Sequence, residues 1–151
     1  MPTIQPVKAR FGAVITDVKL GRLTSEEWIE IEAAFNKYGA LIFPNQHTTD
    51  DEHIVFAERF GPIEFLRGKG EKAAWISNLN PDGSVMISEQ KRYQSLRGNE
   101  GWHTDSSYMP LAAKASALAA ITTPTNGGET ELADMRDAYD KLSDTMKERI
   151  A

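Results

Sequence analysis

Twice in its first sixty residues the chain sets a threonine three residues ahead of a glutamate, just before an apolar stripe. Thr24-Ser25-Glu26-Glu27 and Thr49-Asp50-Asp51-Glu52 are both capping boxes. In each, the threonine oxygen and the glutamate side chain satisfy each other's free backbone amides at a helix start. After the first box Trp28, Ile31, Ala34 and Phe35 recur at helical spacing, and Gly39 closes the element. After the second, Ile54, Val55, Ala57 and Phe60 form an apolar face ending at Gly61-Pro62. Two helices are thereby set in place, and β-structure is confined to the short runs between such punctuation marks.

Those runs read as follows. Residues 11–18 alternate loosely between Gly12 and Gly21 and predict an early strand. Residues 40–43 are a short apolar run before Pro44, consistent with a buried strand. Residues 73–78 and 85–88 predict two strands around Asn80-Pro81-Asp82-Gly83, whose residues suit a tight turn. The polar stretch 92–101 reads as loop, whereas 115–122, all small or apolar, reads as a buried strand and 129–132 as another. Asp134 caps a helix running to Leu142, and Ser143 caps one beginning at Asp144. That helix has no stop signal before Ala151, so the chain is expected to be a partial or truncated one.

At 151 residues the length predicts a single domain, 1–151. The 17 Lys+Arg against 22 Asp+Glu give a net charge of −5. Nucleic acid and anionic membrane both need a basic face, so neither is expected as a partner. Having no cysteine, the chain offers no disulfide, thiolate zinc site, iron–sulfur cluster or cysteine nucleophile. No apolar run reaches the ~18 residues of a membrane span, and Met1-Pro2-Thr3-Ile4-Gln5-Pro6 is not a signal peptide. A cytoplasmic location is the expectation. Any metal must bind through His and carboxylates.

The segment that carries chemistry is Gly101-Trp102-His103-Thr104-Asp105-Ser106-Ser107-Tyr108. In an extended chain residues two apart share a face, so His103 and Asp105 can converge on one point. One imidazole nitrogen and one carboxylate oxygen make two thirds of a 2-His-1-carboxylate facial triad, the ligand set of non-haem Fe(II) oxygenases. Alone, an H-x-D pair is equally a hydrogen-bonded loop pair. Strict alternation would also put Ser106 and Tyr108 on the opposite face, so a shared pocket requires a bend after Asp105.

Taken with Pro124-Thr125-Asn126-Gly127-Gly128-Glu129-Thr130 and Asp134-Met135-Arg136-Asp137-Ala138-Tyr139 at matching spacing, Trp102-His103-Thr104-Asp105 resembles the Fe(II)/2-oxoglutarate-dependent dioxygenases of the taurine dioxygenase and 2,4-dichlorophenoxyacetate dioxygenase family. Upstream, Gly39-Ala40-Leu41-Ile42-Phe43 and Phe56-Ala57-Glu58-Arg59-Phe60-Gly61-Pro62 look like that family's N-terminal half. The resemblance covers essentially the whole chain, as the first half of a longer protein. It implies an α+β fold with a mainly β core: a partial double-stranded β-helix (jelly-roll) with flanking helices, cut at the C-terminus. It also implies His103 and Asp105 as metal ligands and catalytic residues, and Thr130 as a hydroxyl that helps hold 2-oxoglutarate. Asn99, Ser106 and Tyr108 fall where related enzymes line the substrate pocket; the plainer readings are a loop amide, a surface hydroxyl and core packing.

The implied cofactors are Fe(II), 2-oxoglutarate as co-substrate, and O2. The implied reaction couples decarboxylation of 2-oxoglutarate to succinate with hydroxylation of a C–H beside a heteroatom. The substrate would be a small anion such as an aryloxyalkanoate, sulfonate or alkyl sulfate, and the wording from 134 to 139 leans to the aryloxyalkanoate branch. Related enzymes suggest a homo-oligomer. Trp102 reads as packing that orients the ligand segment, and Gly127-Gly128 as a turn, since the P-loop lysine is lacking. Arg67, Lys69, Arg92 and Arg97 could meet an anion or be solvated surface charge. The family's third ligand, a distant histidine, and its 2-oxoglutarate arginine have no counterpart here, and His47 and His53 match no ligand motif. The isolated chain is therefore expected to be catalytically incomplete and prone to self-association. Two other classes remain open: a binding or assembly module that kept the scaffold, and a zinc hydrolase using His103, Asp105 and an upstream histidine.

Overall fold

The computed structural model describes residues 1–8, 10–64 and 72–151, which form two compact units. The first joins both ends of the sequence, residues 1–48 and 120–151, and the second is residues 49–119. Arg67 and Lys69 lie outside the described residues.

In the first unit three short strands, β1 (Thr3–Pro6), β2 (Ala13–Thr16) and β3 (Leu41–Ile42), make one sheet in the order β1-β2-β3. β1 runs antiparallel to β2 with Ile4 opposite Ile15, and β3 runs parallel to β2 with Leu41 opposite Ala13. Ala13 and Ile15 are fully buried, and Val14 and Thr16 are half-buried. That is the period-2 alternation of a strand with one covered face.

The cover is helix α1 (Ser25–Tyr38), which packs on β2 and β3. It buries Ile31, Ala34 and Tyr38, the stripe that lies three to four residues apart along a helix. Its start is the expected capping box: the Glu27 amide donates to Thr24 Oγ1 at 3.2 Å, and the Thr24 amide to Glu27 Oε2 at 2.9 Å. Its end is Gly39 in the left-handed region (φ 72°), whose N–H donates to the Phe35 carbonyl at 2.8 Å. Side chains carrying a Cβ adopt that conformation at a cost, which explains the glycine.

The last helices, α4 (Met135–Asp140) and α5 (Asp144–Ile150), start at the expected caps, Asp134 and Ser143. Arg136, at the head of α4, ties this part of the chain to α1. Its Nη1 donates to the Asn36 and Lys37 carbonyls at 3.4 and 3.5 Å, and its Nη2 to the Arg10 carbonyl at 3.4 Å. The final carbonyls of a helix lack partners within it and carry partial negative charge, so a guanidinium is well placed there. Asp134-Met135-Arg136 is thus a structural clasp in this unit. Gly127 and Gly128, expected to form a turn, both adopt left-handed backbone (φ 73° and 77°) just after a bend at 125–126, and a Cβ on Gly128 would lie 3.0 Å from Pro124 Cγ.

The second unit holds helix α2 (Asp50–Glu58), begun by the second capping box, and helix α3 (Lys91–Gly98). Phe56 is buried in α2 and meets Phe60 edge-to-face, ring centres 5.6 Å apart. The tight turn forms as expected, with the Gly83 amide donating to the Asn80 carbonyl at 2.9 Å.

Several expectations need correction. Residues 92–101, read as loop, hold most of α3; its only apolar residues, Tyr93 and Leu96, make too short a stripe to predict a helix over Lys91–Gly98. In place of the strands expected at 73–78 and 85–88 there is a single bridge, from Leu79, just past the first run, to Val85. Residues 115–122 and 129–132 form no strand and are largely exposed. Alanine and serine favour strands little, and a strand needs a paired neighbour. β1 went unread because its four residues include an edge proline. The described structure is mixed helix and sheet, with most of its regular residues helical, so the expected mainly β core is not what these residues build.

Candidate metal centre

His103 and Asp105 lie in the second unit, in an irregular stretch between α3 and a tight turn. Their side chains converge: His103 Nε2 is 3.4 Å from Asp105 Oδ1. Both are about half exposed, at 50% and 59%, so an ion could reach them from solvent. The other imidazole nitrogen, Nδ1, lies 2.8 Å from the Gly101 carbonyl. A carbonyl oxygen only accepts, so Nδ1 carries the proton, and in the neutral ring Nε2 is left with a lone pair. That lone pair then faces the lone pairs of Oδ1, an arrangement that is favourable only with a cation, proton or metal, between them.

The carboxylate is fixed from its other side. Ser116 donates its hydroxyl to Asp105 Oδ2 at 2.8 Å. Neighbouring Ala117 presents its carbonyl to His53 Nε2 of α2 at 3.2 Å. His53 Nε2 is thereby engaged as a donor. No local motif marks Ser116, whose contact with Asp105 eleven residues away exists only in the folded chain. Among the described residues no group of three or more His, Asp or Glu could hold an ion. The chemistry of the pair fits a metal centre with two protein ligands.

The remaining candidates are placed as follows. The bend required after Asp105 is present: Ser106 is left-handed (φ 55°), and the Met109 amide donates to its carbonyl at 3.0 Å. Ser106 is buried, and its hydroxyl donates to Glu64 Oε2 at 2.5 Å, so it braces the turn rather than standing as a surface hydroxyl. Tyr108 is 75% exposed and does not pack in a core. Asn99 is the exposed C-cap of α3. Trp102, expected to pack, is 72% exposed. Thr130 belongs to the first unit, on an exposed irregular stretch. No helix among the described residues is long and apolar enough to cross a membrane.

Known proteins match this chain along its length. It is 46% identical over 149 residues to an (S)-phenoxypropionate/alpha-ketoglutarate-dioxygenase of Sphingobium herbicidovorans, covering 97% of this chain and 50% of the relative. It is 37% identical over 147 residues to an alpha-ketoglutarate-dependent 2,4-dichlorophenoxyacetate dioxygenase of Cupriavidus pinatubonensis, covering 91% of this chain and 51% of the relative. The crystal structure of AAD-2 in complex with Mn(II) and N-oxalylglycine superposes with a TM-score of 0.89 at 36% identity, over 99% of this chain and 53% of that one. The chain thus spans about half the length of the relatives it matches. The family model described as "Taurine catabolism dioxygenase TauD, TfdA family" matches residues 3–151, and the chain belongs to that family.

Proposed function

We propose that these residues are the N-terminal part of an Fe(II)- and 2-oxoglutarate-dependent oxygenase that hydroxylates a C–H beside a heteroatom in a small anionic substrate. The observation that carries the reading is the pair itself: Nε2 and Oδ1 facing each other 3.4 Å apart, with the opposite nitrogen, Nδ1, engaged by the Gly101 carbonyl. His103 and Asp105 would hold the metal. Bound there, iron supplies the oxygen chemistry that couples decarboxylation of 2-oxoglutarate to substrate hydroxylation. The chain's own share is to fix the imidazole tautomer through Gly101 and to aim the carboxylate. Thr130 would donate its hydroxyl to a 2-oxoglutarate carboxylate, and Asn99, Ser106 and Tyr108 would line the substrate side, Ser106 through the turn it stabilises.

An aryloxyalkanoate is the favoured substrate class, because relatives named for phenoxypropionate and 2,4-dichlorophenoxyacetate are 46% and 37% identical. A sulfate ester dioxygenase of Pseudomonas putida is 30% identical over 146 residues. The remaining histidine of the triad, the 2-oxoglutarate arginine and the rest of a jelly-roll would come from outside these 151 residues. Exposed Trp75, Ile76, Trp102 and Leu111 are apolar surface of the kind that such a completed fold would cover.

The test is anaerobic titration of the chain with Fe(II), alongside His103→Ala and Asp105→Ala. One saturable equivalent that either substitution removes is the expected result. Oxygen-dependent succinate release should stay at background from these residues alone, and appear when a following sequence supplying the histidine and arginine is joined on. Fe(II) uptake that ignores both substitutions would sink the reading and favour a binding module. Metal-dependent hydrolysis with zinc, indifferent to 2-oxoglutarate, would favour the hydrolase.

A further inference from the structure

We infer that Ser116 is a positioning residue for Asp105, holding one carboxylate oxygen so that the other alone is offered to the metal. The inference rests on the metal reading proposed above. A carboxylate has two equivalent oxygens and about four lone-pair sites, so by itself it can grip an ion through one oxygen or both. Here the two oxygens are made unlike. Oδ2 accepts the Ser116 hydroxyl at 2.8 Å, while Oδ1 is the atom that faces His103 Nε2.

Ser116 is able to impose this because its segment is anchored. The next residue, Ala117, has its carbonyl on His53 Nε2 of α2 at 3.2 Å. A line of contacts therefore runs from a helix through Ala117 and Ser116 to the carboxylate. Asp105 sits on a turn with left-handed Ser106 next to it, so the backbone that carries the carboxylate is set as well. A carboxylate bound through one oxygen occupies one coordination position, and bound through two it occupies two. A site that must leave adjacent positions open for other ligands requires the first mode. Outer contacts of this kind are typically worth about 10–100-fold in metal affinity.

The experiment titrates the 151-residue chain with Co(II), whose visible spectrum changes with coordination number, and follows thermal unfolding by circular dichroism. The variants are Ser116→Ala, Ser116→Thr and Ser116→Val, with His103→Ala and Asp105→Ala as references. Thr and Val share a shape and differ in the hydroxyl. Expected are roughly 10-fold weaker Co(II) binding and an altered spectrum in the Ala and Val variants. The Thr variant should keep both properties, and unfolding should be unchanged throughout. A Val variant with the parent's affinity and spectrum would overturn the inference, as would a Thr variant that fails like Val. If His103→Ala and Asp105→Ala remove binding while Ser116→Val does not, only the role of Ser116 falls. If those two references bind as the parent does, or the parent takes up no Co(II), the metal reading falls and this inference with it.

Discussion

Arg136 grips Asp134 with two parallel hydrogen bonds, Nε to Oδ1 at 2.9 Å and Nη2 to Oδ2 at 3.2 Å. The same guanidinium reaches the carbonyls at the end of α1. This fork requires a planar group with several fixed donors, which lysine lacks. Arg136→Ala is expected to lower the thermal midpoint, and Arg136→Lys to fall between the two, because it restores charge without the fork. Differential scanning calorimetry of the three proteins decides the order.

The same pair sets a pH dependence. Hydrogen bonds from Arg136 hold the Asp134 carboxyl below its usual pKa. A depressed folded value stabilises the fold fully above the unfolded pKa of about 3.9. That contribution is lost as pH falls through the folded value. The stability gap between parent and Arg136→Ala should therefore shrink on acidification below about pH 4. Urea unfolding at pH 7 and pH 3 measures it, and a gap that widens in acid would refute the assignment.

Gly39→Ala is expected to cost about 1–2 kcal/mol from the left-handed backbone alone. A Cβ there would also stand 3.1 Å from Arg136 Nη2, so the clasp must shift to admit it. The two substitutions share a contact, and a double-mutant cycle of Gly39→Ala with Arg136→Ala should be non-additive.

Ile31 is fully buried under the sheet, and Ile31→Ala should destabilise by about 2–5 kcal/mol. Thr24→Ala removes one capping bond from the same helix and should cost only about 1 kcal/mol. Equal losses in urea unfolding would mean that α1 does not bear on the core as described.

At the turn beside the candidate metal centre, Ser106→Gly keeps the backbone conformation and removes the hydroxyl from Glu64. The loss of a buried hydrogen bond to a carboxylate predicts about 1.5–3 kcal/mol. Ser106→Val adds a branched side chain at positive φ and should cost roughly 1–2 kcal/mol more. Chemical denaturation of both variants checks the ranking.

What could be read from the sequence was what neighbouring residues encode. The capping boxes at Thr24 and Thr49, the stop at Gly39 and the turn at Gly83 all involve partners within five residues, and all were legible. His103 and Asp105 were legible as a pair because one residue separates them. The sheet was less so: β2 acquires its identity from Thr3–Pro6 on one side and Leu41–Ile42 on the other, and small-residue runs such as 115–122 mimic a strand without such partners. α3 carries only Tyr93 and Leu96 as apolar residues on one face, too short a stripe for periodicity to register. Ser116 and Glu64 escaped for the same reason as the sheet, since their contacts with Asp105 and Ser106 span 11 and 42 residues.

The first unit draws on both ends of the sequence, and this has a bearing on biosynthesis. The Lys37 carbonyl waits for a donor 99 positions later. At ribosomal speeds of about 5–20 residues per second, that delay is roughly 5–20 s. During it the nascent sheet and α1 exist without the fastening that Arg136 later brings to the carbonyls of Asn36, Lys37 and Arg10.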